Sequence, residues 1–345
     1  MVQPTKIMLL FGGESSEHSI SISSARNVFA ALDDTKFDIY LGFIDRSGRW
    51  WLLDSLDQVD NIEDAIQLVP VLGTKNFTTI PDSMYINPDV ILPILHGENG
   101  EDGTIQGLAR LMHIPIVGCN VASSAICMDK VITKQLLEYN DIKTVPYSVH
   151  LFEEPTPNFD QLSQLLGESL FIKPAGCGSS VGISKVKNGH ELVEALKIAH
   201  KFDRKVLIER AINARELEVG MLGNGIGAHA SVVGEVRPDS EFYSFESKYN
   251  TNSQSKVIIP ADISSELSEK IRGIAKKAFA ILGCGGLARV DFFLADDGVL
   301  YLNEVNTLPG FTNISMYPKL WNADGLSYAE LIEKLVLLAI DSATI

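Results

Sequence analysis

The chain has 345 residues, 46% of them hydrophobic, more than a single hydrophobic core usually serves, so two or three domains are expected. Asp and Glu number 44 against 29 Lys and Arg, a formal net charge of −15, which argues against binding nucleic acid by charge neutralisation and makes any phosphate site a local one. The apolar stretch before Gly12 is only five residues long, too short for a signal sequence, and no apolar run reaches membrane length. Cys119, Cys127, Cys177 and Cys284 show no C-x-x-C spacing, which suggests neither a disulfide framework nor zinc and fits a reducing cytoplasm.

In chain order, KIMLLF (6–11) is a short apolar run ending at Gly12-Gly13, and the serine-rich segment after it leads into helical spacing through SISISSARNVFAAL. Further apolar runs at 39–44, 90–95 and 114–117 predict a parallel sheet with crossovers, and a first domain ending near residue 121. Asp129 is placed to cap a helix through KVITKQLLEY; Pro146, Pro155 and Pro157 then interrupt regular structure. A smaller second domain follows, with strands at 169–174, 182–186 and 205–209 and a helix at 191–200. A third begins around 214, and its polar, Ser- and Asn-rich stretch 239–257 is long enough to be a lid.

LARVDFFLADDGVLYLNEVN (287–306) predicts a hairpin turning at Ala295-Asp296-Asp297-Gly298. Pairing Leu294 with Val299 sets Arg289 opposite Glu304, with Asp291, Leu302 and Asn306 on the same face. Two carboxylates so close need a cation or donors, and an oxygen-only set suits Mg²⁺, so Asp291, Glu304 and Asn306 are candidate metal ligands. Alone, the hairpin reads more readily as an ordinary cross-strand ion pair between Arg289 and Glu304 on a solvated face.

FIKPAGCGSSVGISKV (171–186) is a Gly- and Ser-rich loop between strands, able to surround phosphate oxygens with N–H and hydroxyl donors, with Lys173 at its base. It is neither a Walker loop nor a G-x-G-x-x-G fingerprint, and by itself would be a plain turn. Downstream, Glu209 and Glu216 offer acceptors for an adenine amino group and ribose hydroxyls.

Together these segments resemble the D-alanine–D-alanine ligase branch of the ATP-grasp superfamily from residue 6 to about 320. The matching blocks are FGGESSEHSIS (11–21), LHGENGEDGTIQG (95–107), SSAICMDK (123–130), the 171–186 loop, SKYN (247–250), ARVDFF (288–293) and LNEVNTLPGFTNISMYP (302–318). The resemblance implies an α/β (α+β) fold of three-domain ATP-grasp architecture: an N-terminal Rossmann-like parallel-sheet domain (1–121) and two α+β domains (122–213 and 214–345) that sandwich ATP. It implies Lys130, Lys173 and Ser180 on the phosphates, Glu209 and Glu216 on base and ribose, and Asn303 in the nucleotide site. Two Mg²⁺ ions, with Mn²⁺ as a substitute, would be held by Asp291, Glu304 and Asn306. Glu17 matches the residue that binds the ammonium of the first D-alanine, its bland reading being a helix cap. Ser179 and Tyr249 match its hydrogen-bond partners, and His96 a histidine near the substrates. Arg289 and the Gly310 N–H would form the oxyanion site, and Ser315 and Lys248 would receive the second carboxylate.

The implied activity is ATP-dependent joining of two D-alanines through D-alanyl phosphate, for peptidoglycan precursors, in a cytoplasmic homodimer. The nearest rivals are D-alanine–D-serine and D-alanine–D-lactate ligases. Residues 239–257 contain Lys248-Tyr249 and no histidine, unlike lactate-forming relatives, and the apolar Met316 beside Ser315 favours D-alanine over D-serine. A catalytically silent nucleotide-binding regulator would be expected to lack metal ligands, and none is missing.

Overall fold

The computed structural model describes residues 3–178, 181–237 and 256–342, and within them the chain builds three sheets in sequence order. The first has seven strands: β1 (Thr5–Gly12), β2 (Phe37–Ile44), β3 (Trp50–Leu53), β4 (Ile66–Val71), β5 (Asn76–Ile80), β6 (Tyr85–Ile86) and β7 (Val90–Ile94), in the order β6-β5-β4-β3-β2-β1-β7. Ile7 to Phe11 are wholly buried, so β1 shows no polar alternation, as a central strand covered on both faces should not.

The sheet is mixed rather than all parallel. Only β2 and β7 run parallel to β1, and the outer four strands form an antiparallel meander. Connection length decides this, because Ile44 and Trp50 are separated by a turn that the Asp45 carboxylate closes by accepting from Ser47 N, Arg49 N and Trp51 Nε1. A parallel return needs a crossover of a dozen or more residues. The run at 114–117 contributes one isolated bridge, Ile91 to Ile116, and no strand.

Helices α1 (His18–Ala31) and α2 (Thr104–Met112) cover this sheet. Helices α3 (Val121–Met128) and α4 (Lys130–Tyr139) then lead out of it, and Asp129 caps α4 by accepting from Val131 N and Ile132 N, as its sequence position predicts.

The second sheet is antiparallel, in the order β10-β9-β11-β8, built from β8 (Tyr147–Leu151), β9 (Leu170–Pro174), β10 (Ser184–Val186) and β11 (Lys205–Arg210). Helices α5 (Phe159–Leu166) and α6 (Gly189–Ala199) bury Leu162, Leu166, Leu192 and Leu196 against Ile172 and Ile208. The third, in the order β14-β13-β12-β15-β16, comprises β12 (Ala214–Asn224), β13 (His229–Arg237), β14 (Lys256–Ile258), β15 (Gly285–Ala295) and β16 (Leu300–Asn306). Helix α7 (Ser265–Ile281) covers one face through Ile271, Ala275 and Phe279.

Two last helices, α8 (Met316–Ala323) and α9 (Tyr328–Ser342), tie the ends of the chain together, since Leu331, Leu335 and Val336 share one core with Ile7, Leu9 and Leu92. The sheet ends that carry the polar groups are thereby set against one another. No helix among the described residues is long and apolar enough to cross a membrane.

Candidate active site

A cavity of about 840 Å³ lies where the three sheets meet. From the first sheet come the loops at the carboxyl ends of β1 and β7, the usual ligand edge of such sheets. Glu17 is buried and stands at the N-cap position of α1, yet its side chain makes no capping bond, so helix capping does not account for it. Gly97 (φ +72°) sits so close that a Cβ there would lie 3.1 Å from Glu17 Oε2. The buried His96 has Nε2 3.3 Å from Ser24 Oγ and Nδ1 3.9 Å from Glu101 Oε1, and burial lowers its pKa towards the neutral imidazole despite the charge of Glu17. Glu101 accepts from Gly97 N at 3.1 Å; burial, reinforced by the Glu17 carboxylate, pushes its pKa up to about 8.

The second wall is a set of ammonium groups around one carboxylate. Glu209, only 2% exposed at the end of β11, pairs with Lys134 Nζ at 2.6 Å and also with Lys173 on β9. Burial alone would raise its carboxyl, but the two ammonium groups outweigh this and hold it at about 2. Lys134 also donates to Val145 O at 3.0 Å, and burial lowers its pKa against the pull of Glu209. One helical turn earlier, Lys130 donates to the Cys177 carbonyl at 2.5 Å; its pKa too is lowered by burial and opposed by Glu304. Glu209 thus serves as the anchor of two lysines, a part that the expectation of an adenine contact does not include.

The third wall is the carboxylate hairpin, and its register differs from the one expected. Leu294 pairs with Leu300, a bulge intervenes between Asp291 and Phe292, and beyond it Asp291 faces Glu304 while Arg289 faces Asn306. The bulge leaves Asn303 as the extra residue and turns Leu302 into the apolar core rather than onto the polar face. Because Glu218 on β12 is the other neighbour of Asp291, three carboxylates stand in a row across three strands. Arg289 offsets them. It binds Asp291 through Nε and Nη2, both at 2.7 Å, and lies 2.9 Å from Glu218 Oε2. Burial opposes its charge, but Asp291, Glu218 and Glu304 together raise its pKa further still. Asn306 Nδ2 donates to Asp291 Oδ2 at 2.9 Å.

The remaining edge is the N-terminus of α8. A Cβ on Gly220 would come within 2.8 Å of Trp321 Nε1, and one on Gly234 within 2.8 Å of Leu320 Cδ2, so these two glycines let α8 seat closely on the sheet. The loop that leads into α8 and its N-terminal residues reach the cavity, with Gly310, Ser315 and Met316 on the wall. Ser315 Oγ accepts from Thr312 N at 3.1 Å, and the helix end adds partial positive charge.

The structure therefore brings Glu17, His96, Lys130, Lys173, Glu209, Glu216, Arg289, Asp291, Asn303, Glu304, Asn306, Gly310 and Ser315 to one cavity. Ser179, Ser180, Lys248 and Tyr249 lie outside the described residues. Sequence reasoning passed over Glu101, Lys134 and Glu218, each of which had a signal: Glu101 lies inside the HGENGEDG block, Lys134 follows Lys130 by one helical turn, and Glu218 shares a strand face with Glu216. Among the described residues no group of three or more His, Cys, Asp or Glu is gathered for a metal ion. The oxygen set at the hairpin is two carboxylates and an amide.

Glu101 generates a pH test. Its folded-state pKa of about 8 exceeds the ordinary 4.5, so between these values the folded protein holds a proton the unfolded chain has lost, and the stability contribution of Glu101 falls as pH rises. Subtracting the urea-unfolding stability of Glu101→Gln from that of the unmodified protein should give a difference that declines across this window; a flat difference would contradict the assignment.

Comparisons with known proteins identify the family. A family model described as D-ala D-ala ligase N-terminus matches residues 6–119, and one described as D-ala D-ala ligase C-terminus matches residues 136–337. The chain is 43% identical over 358 residues to D-alanine–D-alanine ligase A of Salmonella typhimurium, covering 98% of this chain and 96% of that one. It is 44% identical to the D-alanine–D-alanine ligase of Oceanobacillus iheyensis, with 97% and 95% covered. Among solved structures, the D-alanine–D-alanine ligase of Coxiella burnetii superposes with a TM-score of 0.90 at 36% identity, covering 99% of this chain and 96% of that one. A D-Ala:D-Ser ligase of Enterococcus faecalis superposes with a TM-score of 0.88 at 36% identity, covering 98% and 100%. With both halves of one family matched in order and relatives aligned over nearly the whole length, this chain belongs to the D-alanine–D-alanine ligase family.

Proposed function

We propose that the chain uses ATP to join two D-alanines into D-alanyl-D-alanine, in three domains that divide near residues 121 and 213. The observation that carries this reading is one cavity in which a carboxylate fit for an ammonium (Glu17), a pair of lysines under a glycine-rich loop (Lys130 and Lys173) and a buried guanidinium (Arg289) converge.

A carboxylate resists attack by an amine, so it must first gain a leaving group. In the proposed first step a carboxylate oxygen of D-alanine bonds to the γ-phosphorus of ATP, the bond to the bridging oxygen breaks, and ADP departs. Lys130, Lys173 and, from the 171–186 loop, Ser180 would offset the phosphate charge, with Lys248 adding to it from the lid. Glu216 would take a ribose hydroxyl, with Asn303 and the Lys-anchored Glu209 completing the nucleotide pocket. The oxygen donors of Asp291, Glu304 and Asn306 fit Mg²⁺, or Mn²⁺ in its place, and two such ions would neutralise charge on the phosphates.

Glu17, supported by Ser179 and Tyr249, would hold the ammonium of the first D-alanine. The amine of the second would then attack the acyl carbon and phosphate would leave. Arg289 and the Gly310 N–H would stabilise the tetrahedral oxyanion between these events, while Ser315, Lys248 and the α8 N-terminus receive the second carboxylate. The 239–257 segment would exclude water from the acyl phosphate. Work on peptidoglycan precursors in the cytoplasm, by a homodimer, completes the proposal.

D-serine as second substrate is the alternative, favoured by the likeness to the Enterococcus faecalis enzyme. Met316 supports D-alanine instead: it is buried with Val236 and Leu320 in an apolar cluster beside Ser315 and offers a serine hydroxyl no hydrogen-bond partner. The deciding assay follows phosphate release from ATP and Mg²⁺ with D-alanine alone or paired with D-serine or D-lactate, and identifies the product. D-alanyl-D-alanine should dominate; preferential D-alanyl-D-serine would overturn the choice of second substrate, and no amino-acid-dependent phosphate release would overturn the activity.

Arg289→Ala should lower kcat by roughly 10²- to 10³-fold, as for a missing oxyanion donor. Because it also leaves Asp291 and Glu218 without their cation, Arg289→Lys is the control that keeps the charge and loses the two-pronged geometry. Both variants should still bind ATP; a loss of ATP affinity equal to the loss of turnover would refute the oxyanion role.

A further inference from the structure

The turn after α6 belongs to no part of the chemistry above, yet it grips the glycine-rich loop at three places. Asp203 Oδ2 accepts from Gly176 N at 2.7 Å, while Oδ1 of the same carboxylate accepts from Lys205 N at 2.9 Å and closes its own turn. Lys205 O accepts from Ala175 N at 2.9 Å. At the far end of the loop Gly182 (φ +69°) lies under Phe202, where a Cβ would come within 2.8 Å of the ring. Residues 202–205 thus hold 175, 176 and 182 at once.

The turn is itself braced. His200 Nδ1 lies 3.0 Å from the Asp203 carbonyl oxygen, which can only accept, so that nitrogen carries the proton and Nε2 is left to accept from His150 Nδ1, 2.9 Å away. On the other side the Lys205 ammonium pairs with Asp129, the cap of the helix that begins at Lys130. Lys130 in turn reaches the Cys177 carbonyl. The entrance of the loop is consequently fixed from both sides, at Gly176 by a carboxylate and at Cys177 by an ammonium.

An aspartate is an unexpected choice beside a loop that takes phosphates, because its charge repels them. Its effect on geometry must therefore oppose its effect on charge, and the two can be separated by sign. We infer that Asp203 is a positioning residue for the nucleotide phosphates: by engaging the Gly176 N–H it sets the direction in which the loop leaves β9, and so where the following backbone donors point. The inference rests on the reading that this loop receives the phosphates of ATP.

The test is steady-state kinetics on Asp203→Ala and Asp203→Asn, with the KM for ATP and for D-alanine measured separately, thermal unfolding followed for each, and ADP binding to the unmodified protein measured by calorimetry. Losing the charge-assisted hydrogen bond from Gly176 N, together with the one from Lys205 N that closes the turn, should raise the KM for ATP at least about tenfold in Asp203→Ala. The KM for D-alanine should stay within about twofold, and Asp203→Asn, which keeps one acceptor oxygen, should fall between. A KM for ATP that is unchanged or lower, as charge removal alone would give, would overturn the inference; so would equal rises for both substrates, the mark of a merely structural role. If Asp203→Ala does not fold, Asp203→Asn decides by the same criteria. Failure of the unmodified protein to bind ADP would instead remove the phosphate-loop reading, and this inference with it.

Discussion

One guanidinium buried among carboxylates is the constraint on which the rest of this site depends. Glu218, Asp291 and Glu304 stand side by side on neighbouring strands, roughly 5 Å apart from strand to strand, and without a cation such a row would not stay ionised in a partly buried cavity. Arg289 supplies that cation from within the same sheet, using its planar fork on Asp291 and its Nε on Glu218. The arrangement is electrostatically prepared for a reaction that brings more negative charge in, because a metal ion or a phosphoryl group arriving at the hairpin would exchange partners with groups already fixed in direction.

The opposite wall repeats the logic with the signs reversed. Glu209 holds Lys134 and Lys173 in place, and so gives Lys134, whose charge burial penalises, a buried counter-ion. The lysine wall is net positive, with Lys130, Lys134 and Lys173 against Glu209, a local excess of cations in a protein carrying a formal charge of −15. The close seating of α8 over Gly220 and Gly234 sets where Ser315 and Met316 stand on the cavity wall.

Much of this was legible in the residues. The strands β1, β2, β7, β9, β10 and β11, the β15–β16 hairpin, the Asp129 cap and the shared face of Arg289, Asp291, Glu304 and Asn306 all follow from apolar runs and spacing. The register did not, because moving the partner of Arg289 from Glu304 to Asn306 keeps every polar group on its face, and alternation alone cannot tell the two pairings apart. Leu302 is the residue that distinguishes them, and its burial is visible only when the third sheet packs on α7. The meander of the first sheet is not among the expected strands, because β3 to β6 are short and only partly buried; the short turn after Ile44 is what carries the antiparallel return. The pairing of Glu209 with two lysines depends on residues 36 and 75 positions away and has no local signature.

The central claim is that the carboxylate of one D-alanine is activated by bonding to the γ-phosphorus of ATP. Supplying D-alanine labelled with ¹⁸O in its carboxyl group and analysing the inorganic phosphate released during dipeptide synthesis by mass spectrometry tests it directly. The account predicts one labelled oxygen transferred to each phosphate, because the oxygen that joined carbon to phosphorus leaves with the phosphate. Unlabelled phosphate formed together with dipeptide would contradict it.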